Sequence, residues 1–178
     1  VVLILTLNPA QILAQSRDST RISDLNTVKT AISLYLADIS SPSLGTNGSC
    51  YVHASSGIQM ANVSCSGRYI TMTAYVTSTI PTVTTTTSRA VTGSGWIPVN
   101  LTGISSGAPL SIYPIDPINN ATYFYSYAAT STSQTFELNA KMESTRYSNG
   151  GGANDVESQD GGSSSTLYEV GTAAGLSL

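Results

Sequence analysis

One long stretch of helical periodicity lies near the start of this sequence, and after residue 42 there is no other. Within "RISDLNTVKTAISLYLADI", Ile22, Leu25, Val28 or Lys29, Ile32, Tyr35 or Leu36 and Ile39 recur at steps of three and four. That spacing draws an apolar stripe down one face of a helix. Asn8 suits an N-cap and Pro9 the first helical position. Alternatively, Pro9 sits inside a continuous helix and kinks it, because it removes one backbone hydrogen bond. Ser40, Ser41 and Pro42 end the pattern. A helix over 9–39 has about 31 residues and spans roughly 45 Å at 1.5 Å per residue. Arg17, Asp18, Arg21, Asp24 and Lys29 fall mostly off the stripe. Arg17 and Arg21 can pair with Asp18 and Asp24 at i±3 spacing. The later half of the helix can be buried on a head; the earlier half needs another partner.

Ahead of it stands "VVLILTL". Seven apolar-rich residues are too few to span a bilayer, which takes about 20. They also lack the basic start of a signal peptide. The run reads as the end of a longer hydrophobic segment.

After Pro42 the period shortens. "CYVHASSGIQMANVSC" reads as two short strands around Ser55, Ser56 and Gly57, and "RYITMTAYV" alternates as a half-buried strand. "PTVTTTTSRAVTGSGW" is an edge strand or an exposed ribbon. Pro98, Pro109, Pro114 and Pro117 forbid regular helix and predict an ordered, irregular connection. Strands over 122–129 and 134–143 form a hairpin turning at 130–133. Tyr123, Tyr125 and Tyr127 then share one strand face, part core and part subunit contact. "SNGGGANDVESQDGGSSS" is a loop and "TLYEV" a last short strand. The fold class is α+β: one long N-terminal helix, residues 1–41, packed on an antiparallel β-sheet head with long loops, residues 42–178.

The chemistry is sparse. Charged residues make up 10 % of the 178, against roughly 25 % in an ordinary soluble domain. The net charge is −3 and no basic patch is visible, so no nucleic-acid partner is expected. There is no G-x-S-x-G elbow, no phosphate-binding glycine loop, and one histidine, His53, which reads as structural. An enzyme is not expected. Cys50 and Cys65 either bridge or are two separate buried thiols. A bridge would contribute on the order of 3 kcal/mol and imply an oxidising compartment.

In this order, the segments resemble the type IV pilin and type II secretion pseudopilin superfamily. "SRDSTRISDLNTVKTAISLYLAD" looks like the membrane-distal half of a pilin's N-terminal helix. "PIDPINNATYFYSYAATSTSQTFELNAKMES" looks like the Asp-Pro-x-Asn turn and Tyr-rich hairpin of bacterial pilin-like heads, and "YEVGT" and "GWIPVNL" fit the same group. The family's cleavage and N-methylation site and its helix glutamate are not in this stretch; "VVLILTLNP" looks like the final turns of that hydrophobic helix.

The resemblance implies a structural subunit that polymerises through its N-terminal helix into an extracellular type IV pilus-like filament on the cell surface. Val1, Val2, Leu3, Ile4, Leu5, Leu7, Pro9, Ile12 and Leu13 would then form the assembly helix. Its partners would be identical subunits, the inner membrane before assembly, and the pilus assembly machinery. The alternatives are a pseudopilin of a secretion system, or a minor pilin or surface adhesin with a glycan-binding head. The carboxylates Asp155, Glu157 and Asp160 suit calcium as hard oxygen ligands, and resembling major pseudopilins carry calcium in this part of the head. Asn47, Asn62, Asn100 and Asn120 stand in N-x-[ST] sequons, and Thr84, Thr85 and Thr86 are candidates for O-glycans.

Overall fold

A computed structural model describes residues 8–54, 68–69 and 82–178. Helix α1 runs over Pro9–Asp38, 30 residues, with Asn8 as N-cap and Pro9 in the first turn. The Asn8 side chain accepts the Gln11 N–H at 3.4 Å. Whether a helix also precedes Pro9 falls on residues 1–7, which lie outside the described residues. Ile39 turns extended and its N–H closes on the Tyr35 carbonyl at 3.0 Å.

The buried face of α1 is longer than the apolar stripe. Ala14, Asp18, Arg21, Leu25, Val28, Ile32 and Tyr35 follow steps of four and three, with Ala31 beside them. Asp18 and Arg21 thus lie on the stripe, not off it as their charge implied. Of the expected pairs, Arg21 with Asp18 forms. Arg17 instead reaches Glu143, and Asp24 accepts the Tyr125 hydroxyl at 2.9 Å. Each of Leu25, Val28 and Ile32, fully buried, gains about 2 kcal/mol from leaving water.

Five strands form one sheet among the described residues: β1 (Ser49–His53), β2 (Thr82–Thr86), β3 (Ser126–Thr130), β4 (Thr135–Ala140) and β5 (Tyr168–Gly171). Their order is β2-β1-β3-β4-β5. The hairpin β3–β4 forms as expected with slightly shorter strands, Tyr127 facing Leu138 across it. The sheet is antiparallel except at its edge, where β2 runs parallel to β1 with Cys50 beside Val83. The "RYITMTAYV" strand, apart from Arg68 and Tyr69, and the second half of the "CYVHASSGIQMANVSC" pair lie outside the described residues.

Period-2 alternation sorts the sheet into two buried faces. Tyr125, Tyr127, Ala129, Phe136, Leu138, Ala140 and Val170 pack with the stripe of α1. Phe124, Ala128, Cys50 and Val52 point the other way, with Tyr69 and Leu178 among them. Tyr125 and Tyr127 are buried in the chain's own core, and Tyr123 is half-buried. Cys50 is buried and disulfide-bonded; its expected partner, Cys65, lies outside the described residues.

The proline-rich connection is ordered and irregular, as its sequence predicts. Trp96, Ile97, Val99, Leu101, Ile104 and Tyr113 join the core against α1. The Trp96 indole N–H donates to the Pro114 carbonyl at 3.0 Å, and the Tyr113 hydroxyl to that of Val99 at 2.9 Å. Gly45 lets this layer close. Its φ is +109°, and a Cβ there would stand 2.7 Å from Pro98 Cγ and 2.9 Å from the Tyr51 hydroxyl. Gly45→Ala should destabilise the fold by about 1–3 kcal/mol, measured by urea denaturation.

Candidate functional site

The helix is fixed to the head by ions as well as by grease. Arg21 is 0 % exposed. Its Nε and Nη2 donate to the two oxygens of Asp116 at 2.7 and 2.9 Å, and its Nη1 donates to Asp18 at 2.7 Å. Asp18 accepts the backbone N–H groups of Glu143 and Ser144 at 2.9 and 2.8 Å. Glu143 in turn receives Arg17 at 2.7 Å and Arg21 at 3.4 Å. Asp116 also accepts the N–H groups of Ile118 and Asn119, at 2.8 and 3.3 Å, which is the work of the Asp-Pro-x-Asn turn. The Tyr123 ring lies under the Arg21 guanidinium at 5.0 Å. Every carboxylate in the cluster has several donors, the condition under which buried ions are tolerated.

The opposite face of α1 is a candidate assembly surface. Ala10, Leu13, Ser16, Thr20, Ser23, Thr27, Thr30, Leu34 and Ala37 are all exposed, at steps of three and four, and none is charged. The threonine hydroxyls are turned inward on their own helix. Thr20, Thr27 and Thr30 donate to the carbonyls of Ser16, Ser23 and Asn26 at 3.1, 2.7 and 2.8 Å. A hydroxyl satisfied in this way leaves a small, nearly apolar surface. Beside the row, a groove of about 440 Å³ runs between Ile22, Asn26, Thr30 and Leu34 and the loop at Pro109 and Leu110. Near the start of the helix, Ile12 and Leu13 are 50 % and 59 % exposed. Val1, Val2, Leu3, Ile4, Leu5 and Leu7 lie outside the described residues. Among the described residues no helix is long and apolar enough to cross a membrane.

The carboxylates of the acidic loop accept backbone N–H groups from the loop and from the segments beside it. Asp155 accepts the Gly150 N–H at 2.9 Å and both the N–H and hydroxyl of Ser158, at 3.0 and 2.7 Å. Those Ser158 bonds hold its carboxyl below the usual range. Glu157 spans the N–H groups of Met142 and Asn149 at 2.7 and 3.0 Å. Asp160 spans those of Gly162 and Glu169 at 2.8 and 2.6 Å. Burial pushes both carboxyls up. Among the described residues no group of three or more acids, histidines or cysteines is set to bind a metal.

Three of the sequon asparagines have local structural work. Asn47 accepts the Ser131 N–H at 2.6 Å, Asn100 that of Thr102 at 3.1 Å, and Asn120 those of Thr122 and Tyr123 at 2.9 and 2.8 Å. Asn62 lies outside the described residues, and Thr84 and Thr85 are exposed on the edge strand β2 while Thr86 accepts the Ser88 N–H at 3.1 Å. His53 ties β1 to the turn: its Nε2 lies 3.0 Å from the Thr87 carbonyl oxygen and its Nδ1 3.1 Å from Asn119 Nδ2.

Two buried features went unread in the sequence. Glu137 and Glu169 sit on the sheet face away from α1, fully buried. Burial, with the neighbouring Glu169 charge, pushes the Glu137 carboxyl up to about 9, and burial raises Glu169 as well. The folded chain thus keeps a proton that the unfolded chain releases near the ordinary value of about 4.3. Its stabilising effect is complete below that pH and is lost as pH rises toward 9. Glu137→Gln, read by thermal denaturation, should raise Tm at pH 8.5 by roughly 5 °C more than it does at pH 5. The second feature is Arg68, the only Asp, Glu, Lys or Arg between Asp38 and Arg89. That isolation was the available signal.

Comparison with protein-family models, curated proteins and solved structures finds no match.

Proposed function

We propose that this chain is a pilin-like structural subunit that polymerises through its N-terminal helix into a filament at the cell surface. The observation that carries the reading is the two-sidedness of α1. One face is fixed to the head by the Arg21 cluster and the core stripe. The other is a charge-free row of small residues with Leu13 and Leu34 in it and Ile12 beside it. Small, internally satisfied residues let two helices approach closely, and apolar ones then lose water at the contact. The helix of a neighbouring subunit fits that face. A repeated contact between unlike patches that does not close on itself builds a helical polymer. The motif resemblance at the helix, the Asp-Pro-x-Asn turn and the hairpin supports the same reading. The test is polymer formation by the chain carrying Ile12→Asp and Leu13→Asp, viewed by electron microscopy. Filaments should be lost while the head stays folded.

A further inference from the structure

Arg68 is only 5 % exposed. Its Nη1 donates to three neutral acceptors: the Phe124 carbonyl at 3.0 Å, Ser126 Oγ at 3.2 Å and Asn139 Oδ1 at 3.1 Å. The guanidinium also stacks on the Phe124 ring, 3.6 Å from its centroid. No carboxylate forms an ion pair with it. All ten Asp and Glu of the sequence lie within the described residues, and the ion pairs among these involve only Arg17 and Arg21. Asp116, whose charge reaches Arg68, is already gripped twice by Arg21. Glu137, linked through Asn139 at 3.4 Å, is kept protonated by burial. A buried cation without a counter-charge is costly, and neutral oxygens offset only part of that cost.

This cation stands in the wall of a cavity of about 290 Å³. Strand register explains the rest of the lining. Ser126 pairs with Asn139, and Ala140 with Tyr168. Continued beyond the strand ends, the same registers place Phe124, Lys141 and Leu167 in one row across β3, β4 and β5. All three line the cavity, with Thr122 and Thr166 contributing exposed hydroxyls. Among the described residues, the lining therefore holds two cations, two hydroxyls and no carboxylate.

We propose that this cavity is a binding site for a small oxyanion, a carboxylate or sulfate-type group, with Arg68 and Lys141 as counter-charges and Thr122 and Thr166 as hydroxyl donors. Charge-assisted bonds to an oxyanion are the strong class of hydrogen bond, and guanidinium is the side chain best shaped to make them. The volume is at the small end for ligand sites, enough for a free anion or one acidic sugar. None of the site's described residues is on α1.

Isothermal titration calorimetry tests this with sodium sulfate and sodium glucuronate, using sodium chloride at matched ionic strength and neutral glucose as controls. Lys141 and Thr166 are exposed, so their substitution leaves the core intact. Saturable binding of sulfate or glucuronate, weakened about tenfold or more by Lys141→Glu, is the expected result. Binding of both anions marks a site for free oxyanions, and binding of glucuronate alone marks an acidic-sugar site. The proposal is overturned if neither anion binds saturably. It is overturned equally if glucose binds as well as glucuronate, or if Lys141→Glu and Thr166→Val leave binding unchanged.

Discussion

Arg21→Ala should destabilise the folded chain by about 3–5 kcal/mol, the usual cost of removing one partner from a buried ion cluster. The reason is what it leaves behind. Asp18 and Asp116 are buried on either side of the guanidinium, and each would lose its main counter-ion. Asp116 also organises the turn at Ile118 and Asn119, and Asp18 receives the backbone at Glu143 and Ser144. The loss should therefore loosen the seat of the helix on the head. Urea denaturation at pH 7 measures it as a shift of midpoint. Arg17 provides the contrast. Its side chain is 31 % exposed, so Arg17→Ala should cost less than about 1 kcal/mol. Equal effects for the two substitutions would mean that the buried cluster is not what fixes α1.

The second large effect concerns assembly. Ile12 and Leu13 each leave half or more of their surface in water, and burying that remainder in a helix contact gives roughly 1 kcal/mol per residue. Replacing both by aspartate removes this gain and adds the cost of burying two carboxylates, several kcal/mol. Since each 1.4 kcal/mol is tenfold in affinity, the concentration needed for polymerisation should rise by about a thousandfold or more. Stability of the monomer should change by no more than about 0.5 kcal/mol, as for other exposed positions. Sedimentation of polymer, with circular dichroism of the same sample, separates lost assembly from lost folding.

The parts of this architecture that were legible follow local rules. The helix announced itself by its stripe and cap, the β3–β4 hairpin by alternation, and the 96–117 connection by its prolines. The ionic clamp was hidden because charge reads as exposure. Asp18 and Arg21 continue the stripe in phase, but their partners Asp116 and Glu143 come from about a hundred residues further on. Distance in sequence also concealed the parallel pairing of β2 with β1, since no turn sets its register. Glu137, Asn139 and Glu169 alternate with apolar neighbours and so resemble a solvent face, yet the sheet is buried on both sides there. The acidic residues at 155, 157 and 160 look like ligands in a string of letters. In space each carboxylate also accepts a backbone N–H of its own loop.

Whether this chain builds a polymer is best decided by electron cryo-microscopy of surface material from its native source. The account predicts a helical filament with α1 bundled along the axis, the row from Leu13 to Leu34 against a neighbouring subunit, and the β heads outside. Native material containing the chain only as monomers, with its native N-terminus confirmed by mass spectrometry, would contradict it.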